Sequence, residues 1–129
     1  MVIAGTVEHG KALGRRLGFP TANLRFDGDV PCPNGVYAAA IWVGDEPLPR
    51  PCMVNQGVHP TAPEGKPTIE AHLLDFEGDL YGEKARIEYL RFLRPERRFD
   101  GLEALKAQLA RDLQATRACI AETDRAWMA

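Results

Sequence analysis

The chain has 129 residues, room for one domain around one core. Its sixteen basic and eighteen acidic side chains nearly cancel, to a net charge of -2, which gives no electrostatic reason to bind nucleic acid or an anionic membrane. No apolar stretch reaches transmembrane length, and the opening "MVIAGTVEHG" turns polar too early for a signal peptide.

The N-terminal part of the chain reads as strands and loops. "VIAGTV" (2–7) is short and β-branched, and "GVYAAAIWV" (35–43) stands between the turn-like strings "CPNG" and "GDEP". "RPCMVNQG" (50–57) and "TIEAHLLDF" (68–76) are the next predicted strands. In "ARIEYLRFL" (85–93), Ile87, Tyr89, Arg91 and Leu93 alternate with Glu88, Leu90 and Phe92. Leucine and phenylalanine in the second set predict a strand covered on both faces near its end. From Asp100 the period changes: Leu102, Leu105, Leu109, Leu113 and Ile120 form one helical stripe. Asp100 with Glu103 three residues on predicts a helix start there, and the helix is expected to run to about Arg125. Turn-bounded strands followed by one long helix predict a mainly β fold, a small antiparallel barrel or sandwich with a C-terminal helix against it. The strand–helix alternation of a doubly wound sheet is absent. Cys32, Cys52 and Cys119 are odd in number and form no Cys-x-x-Cys pair, which argues against a zinc or dithiol motif and for a reducing, cytosolic compartment.

The chemistry concentrates in "HGKALGRRLGFPTAN" (9–23). Gly10, Gly14 and Gly18 recur with Lys11, Arg15 and Arg16 between them. Glycines let the backbone approach a phosphate that N–H groups and cations then cradle; a turn-rich loop between strands is the alternative. No Gly-Lys-Ser/Thr follows, so this is not a Walker A loop. Pro20 fixes its own φ and keeps Phe19 extended, which stiffens the mount of Thr21 and Asn23. Their hydroxyl and amide oxygens suit Mg²⁺ beside nucleotide phosphates, and the same side chains also suit caps and turns. Glu70 lies inside an apolar strand, where glutamate is disfavoured; it either faces solvent or lines a working cavity. His72 should share its face and reads as a hydrogen-bonded structural residue, while His9 and His59 stand alone. Tyr81 in "GDLYG" either stacks on a planar ring or packs on the core. The arginines of "LRPERRF" (93–99) face a phosphate or water.

In their order and spacing, "GTVEHG", "GRRLGFPTANL", "NGVYAA", "VNQGVHPT", "EAHLLDFEGDLYG" and "FLRPERRFDGLEAL" resemble the riboflavin kinase family over nearly the whole chain, and Pro-Thr-Ala-Asn is that family's signature. The resemblance implies a six-stranded antiparallel Greek-key barrel with a long C-terminal α-helix, as one kinase domain over residues 1–129. It implies ATP-dependent phosphorylation of riboflavin at the ribityl 5'-hydroxyl, giving FMN and ADP. Carried over by position, Thr21 and Asn23 hold Mg²⁺, Glu70 is the base facing the ribityl hydroxyl, Gly10, Arg15, Gly18, Thr21 and Tyr81 contact ATP, and Arg94 lies at the flavin side. The implied ligands are riboflavin/FMN and ATP/ADP, with no nucleic acid and no membrane, in the cytoplasm.

In most bacteria this domain accompanies an adenylyltransferase domain that turns FMN into FAD and carries a His-x-Gly-His type motif. That motif is absent here, so the expectation is a stand-alone kinase or a piece of a bifunctional enzyme. Two other readings stand beside the kinase: a non-catalytic flavin-binding barrel and an interaction barrel. A pure binder has no use for a metal pair and a base, so Thr21, Asn23 and Glu70 together favour the enzyme.

Overall fold

In the computed structural model, residues 2–8, 22–26, 30, 32–57, 67–74, 80–97 and 99–122 are described. Alternation sets the architecture. Strand β1 (Val2–Glu8) buries Ile3 and Val7; β2 (Ala22–Phe26) buries Ala22, Leu24 and Phe26. Strand β3 (Gly35–Val43) sends Tyr37, Ala39, Ile41 and Val43 into the same core, and β4 (Arg50–Gly57) sends Cys52 and Val54. Strands β5 (Thr68–Leu73) and β6 (Lys84–Pro95) add Ile69, Ala71, Leu73, Ala85 and Ile87. Successive strand side chains point to opposite faces, so each strand has one apolar face. The six strands bury it by closing on themselves in the order β1-β2-β5-β4-β3-β6, every pairing antiparallel. This is the Greek-key barrel that the family resemblance implied.

Strand β2 is the element that residue patterning did not place. It is five residues long, and Asn23 and Arg25 on its outer side leave only three apolar positions to read. Strand β1 can cross it closely because Gly5 has no side chain: a Cβ there would stand 2.1 Å from the backbone oxygen of Arg25.

One end of the barrel interior is polar. Gln56, fully buried, donates from Nε2 to the carbonyls of Cys32 (3.2 Å) and Pro33 (3.4 Å) and to Asn34 Oδ1 (3.2 Å). Its Oε1 accepts from the Tyr89 hydroxyl at 2.8 Å and from Cys32 Sγ at 3.7 Å, while the Tyr37 hydroxyl donates to the Pro33 carbonyl. The "CPNG" turn is thereby folded back over the barrel mouth. Burial first, then the nearby Cys32, pushes the Tyr37 hydroxyl up to about 12, and burial also raises Tyr89. Both phenols therefore stay neutral donors at physiological pH.

Two irregularities in β6 explain why its pattern predicted cover on both faces. Its pairing with β3 slips between Ala38 and Ala39 and again between Val36 and Tyr37. Tyr89 therefore packs on the barrel core, whereas Leu93 packs with the second cluster outside the barrel. β-Bulges re-aim side chains in this way.

That second cluster is made by helix α1 (Leu102–Glu122), whose Leu109 is buried on Val36 and Met53 with Leu93, Leu105 and Leu113 around it. The helix opens with Leu105 N donating to Gly101 O at 3.1 Å, one residue after the expected Asp100. Leu102 is 50% exposed, so the apolar stripe begins at Leu105. The expected end near Arg125 lies outside the described residues. A second buried stripe, Gln108, Asp112 and Thr116, runs beside the leucines. All three cysteines are free, and no helix among the described residues is long and apolar enough to cross a membrane.

Candidate active site

Five strand pairings put six residues on one line around the outside of the barrel. Glu8 stands opposite Asn23, Asn23 opposite Glu70, Glu70 opposite Asn55, Asn55 opposite Val36, and Val36 opposite Arg94. The inward positions on either side of Asn23, Glu70 and Asn55 belong to the core, so these three side chains face outward. Neighbours in such a row are about 4.8 Å apart, the spacing of paired strands. The row starts exposed at Glu8, is half-buried from Asn23 through Glu70 to Asn55, and passes under α1 at Val36.

The sequence marked Asn23 and Glu70 separately; pairing of β2 with β5 makes them direct neighbours. Asn23 Oδ1 is buried and has no hydrogen-bond partner among the described residues. Buried acceptors are nearly always satisfied, so this oxygen fits a ligand that the described residues do not supply. A hard carbonyl oxygen beside a carboxylate suits a hard divalent cation. Among the described residues no group of three or more His, Cys, Asp or Glu could hold a metal. Gly10, Arg15, Gly18 and Thr21 lie outside the described residues; Ala22, which follows Thr21, is in register with Ala71 on β5.

Tyr81 is 58% exposed, so the core-packing alternative does not apply. Its turn is pinned to β1, with Gly82 N donating to Val7 O at 2.9 Å and Val7 N donating to Glu83 O at 2.9 Å. Gly82 takes a φ of 84°, which only glycine adopts readily. Tyr81 is thus presented near Glu8, the first residue of the row.

Arg94 closes the row, and its guanidinium is mostly buried in an ion pair with the helix. Its Nε donates to Asp112 Oδ1 at 2.9 Å and its Nη2 to Asp112 Oδ2 at 2.7 Å. The two side chains are 17% and 5% exposed. Gln108 Nε2 donates to Asp112 Oδ1 at 2.9 Å, and Arg97 and Arg111 donate to Gln108 Oε1. The guanidinium carbons of Arg94 and Arg97 lie 5.7 and 5.3 Å from the centre of the Phe99 ring. Arg94 at the end of β6 and Arg97 just after it thus clamp the helix to the barrel.

His72, two residues beyond Glu70 on the same outer side of β5, is 4% exposed and sits opposite Met53. It is buried as expected of a structural histidine, but its Nδ1 has no hydrogen-bond partner among the described residues, so the expected hydrogen bond is not seen there. Burial lowers it from 6.5 to about 4, against an opposing pull from Asp112. The unfolded chain therefore takes up a proton at His72 that the folded chain refuses. This contribution to stability is whole above pH 6.5, declines as the pH falls towards 4, and amounts to about 3 kcal/mol. Denaturant unfolding at about pH 7.5 and 4.5 should show the wild type losing roughly 2–3 kcal/mol more than His72→Leu. An identical loss in both proteins would remove His72 from the account.

Sequence reading passed over Asn55, inside "VNQG", and the buried polar stripe of α1. The signal for Asn55 was its residue type, since asparagine is depleted in strand interiors. The polar stripe carries no such signal before the helix is docked.

The Flavokinase family, described as riboflavin kinase, matches residues 1–120. A bifunctional riboflavin kinase/FMN adenylyltransferase of Listeria monocytogenes is 43% identical over 122 residues, which are 93% of this chain and 38% of the relative. The RNA-binding riboflavin kinase RibR of Bacillus subtilis is 42% identical over 123 residues, 94% of this chain and 50% of the relative. The crystal structure of riboflavin kinase from Trypanosoma brucei matches with a TM-score of 0.69 at 32% identity, covering 91% of this chain and 77% of that one. The chain spans a little over a third of the length of the bifunctional relatives. A match that runs through all six strands and most of the helix, with the same architecture in a solved member, has one meaning: the chain belongs to the riboflavin kinase family.

Proposed function

We propose that the chain transfers the terminal phosphoryl group of ATP to the ribityl 5'-hydroxyl of riboflavin, giving FMN and ADP. The observation that carries this reading is the pairing of Glu70 with Asn23, whose buried Oδ1 lacks a partner among the described residues. A base and a hard oxygen donor about one strand spacing apart suit an alcohol attacking a metal-bound phosphate.

Thr21 and Asn23 would hold the divalent ion, Mg²⁺ in this reading. When bound, the ion supplies neutralisation of charge on the phosphate oxygens. Gly10, Gly18 and Arg15, in the sequence ahead of β2, would line the phosphates, and exposed Tyr81 meets the adenine nucleotide. Glu70 aligns the ribityl hydroxyl and accepts its proton as the new P–O bond forms. A carboxylate with an ordinary value near 4 cannot ionise an alcohol beforehand, so its proton transfer is late and its alignment matters throughout. Arg94 acts at the flavin side, held in place by Asp112. The net charge of -2 gives no electrostatic reason to bind nucleic acid as well.

Incubation with riboflavin, ATP and Mg²⁺, followed by flavin separation, should yield FMN and no FAD. Thr21→Ala should remove most turnover while riboflavin still quenches on binding, with an unchanged melt as the control. FMN formation at the wild-type rate by Thr21→Ala would overturn the metal role; absence of FMN from the wild type would overturn the kinase.

A further inference from the structure

The row has a third polar member that the reaction above leaves without a task. Asn55 stands opposite Glu70 on the side away from Asn23. It is half-buried and faces outward, between the inward-facing Val54 and Gln56. Asparagine is a poor strand former, yet here one flanks Glu70 on each side. The three side chains lie in a line, an amide oxygen, a carboxylate and a second amide, with about one strand spacing between each.

The line has a direction. If phosphate lies towards Asn23 and the attacking hydroxyl lies at Glu70, the rest of the acceptor extends towards Asn55. Beyond Asn55 the row becomes apolar and covered at Val36, beneath Leu109 of α1. The acceptor segment that crosses Asn55 is therefore the part joining the reacting hydroxyl to its apolar body. An amide offers both N–H donors and a carbonyl acceptor, which is what a hydroxyl-bearing chain can satisfy in either sense.

We propose that Asn55 is a specificity-determining residue that hydrogen-bonds an inner hydroxyl of the acceptor's polyol chain. The proposal rests on the kinase reading and adds the group that tells a polyhydroxylated chain from a plain alkyl alcohol. Glu70 sees only the terminal hydroxyl, which both kinds of chain carry. A site built to pair with a hydroxyl discriminates strongly against an analogue lacking it, because its own polar group is left unpaired.

The test uses two acceptors: riboflavin, and a flavin whose N10 chain has the same length but only the terminal hydroxyl. The wild type should prefer riboflavin in kcat/KM by on the order of 10²-fold. Asn55→Ala should lose roughly that factor on riboflavin and change by less than about 3-fold on the analogue, so that the preference collapses. Asn55→Val, with a side chain suited to strands, should give the same collapse and keeps the test decisive if the alanine variant melts early. Equal losses on both acceptors, or a wild type that does not discriminate, would overturn the role of Asn55 alone. A wild type that phosphorylates neither acceptor overturns the kinase reading and this proposal together.

Discussion

Glu70→Gln is expected to lower kcat by on the order of 10²–10⁴-fold, or roughly 3–5 kcal/mol of barrier, while the melting temperature holds. Glutamine keeps the length and hydrogen-bonding reach of glutamate but accepts no proton. The loss belongs in kcat, with riboflavin and ATP affinity little changed, because a base acts mainly in the transition state. Both cross-strand neighbours, Asn23 and Asn55, are neutral amides, which can hydrogen-bond a glutamine as well as a glutamate. The decisive measurement is kcat and melting temperature on one preparation. A solvent-facing ornament would leave both untouched. A structural ion pair would show as a falling melt with kcat per folded molecule preserved, and that result rules the base out.

The largest effect on stability is expected at Asp112. Its carboxylate takes hydrogen bonds from Arg94 at 2.9 and 2.7 Å and from Gln108 at 2.9 Å, and it is 5% exposed. Asp112→Ala leaves the guanidinium of Arg94 charged and largely out of water, which costs about 3–5 kcal/mol. Replacing both partners behaves differently. Attraction within a buried pair does little more than offset the desolvation of its two charges, so Arg94→Met with Asp112→Leu should recover most of the loss or exceed the wild type. Denaturant midpoints for the two single variants and the double variant give the coupling directly. A loss below about 1 kcal/mol in Asp112→Ala would mean that the pair behaves as an exposed one.

Both predictions concern residues whose meaning depends on partners far away in the chain, and this marks where sequence reading stopped. The strand at 35–43 was legible because an apolar run stands between turn strings, and α1 because Leu105, Leu109 and Leu113 repeat at helical spacing. Glu70 stood out as a charge within an apolar run. That Asn23 lies beside it did not, because β2 pairs with β5 and not with β3, and no local pattern encodes that choice. The ion pair of Arg94 was hidden for the same reason: its carboxylate sits on a helix that the sequence shows only as amphipathic. Asp112 was hidden by its own helix, where polar residues beside a leucine stripe look like the wet face. Slips in β6 were visible only as a broken alternation.

The first strand of the barrel is held by the second and by the last, with Val2 opposite Glu88 and Thr6 opposite Lys84. On a ribosome adding about 5–20 residues each second, β1 must wait several seconds for its closing partner to be made. Through that interval the emerging polypeptide has an open sheet, free strand edges and an uncovered apolar lining, the features that invite association between chains. Pairings so distant in sequence also slow closure once the last strand has emerged. The finished barrel has no edge to protect, so its exposure to misassembly falls almost entirely within its own synthesis. Any message truncated before Lys84 yields a product that cannot close at all.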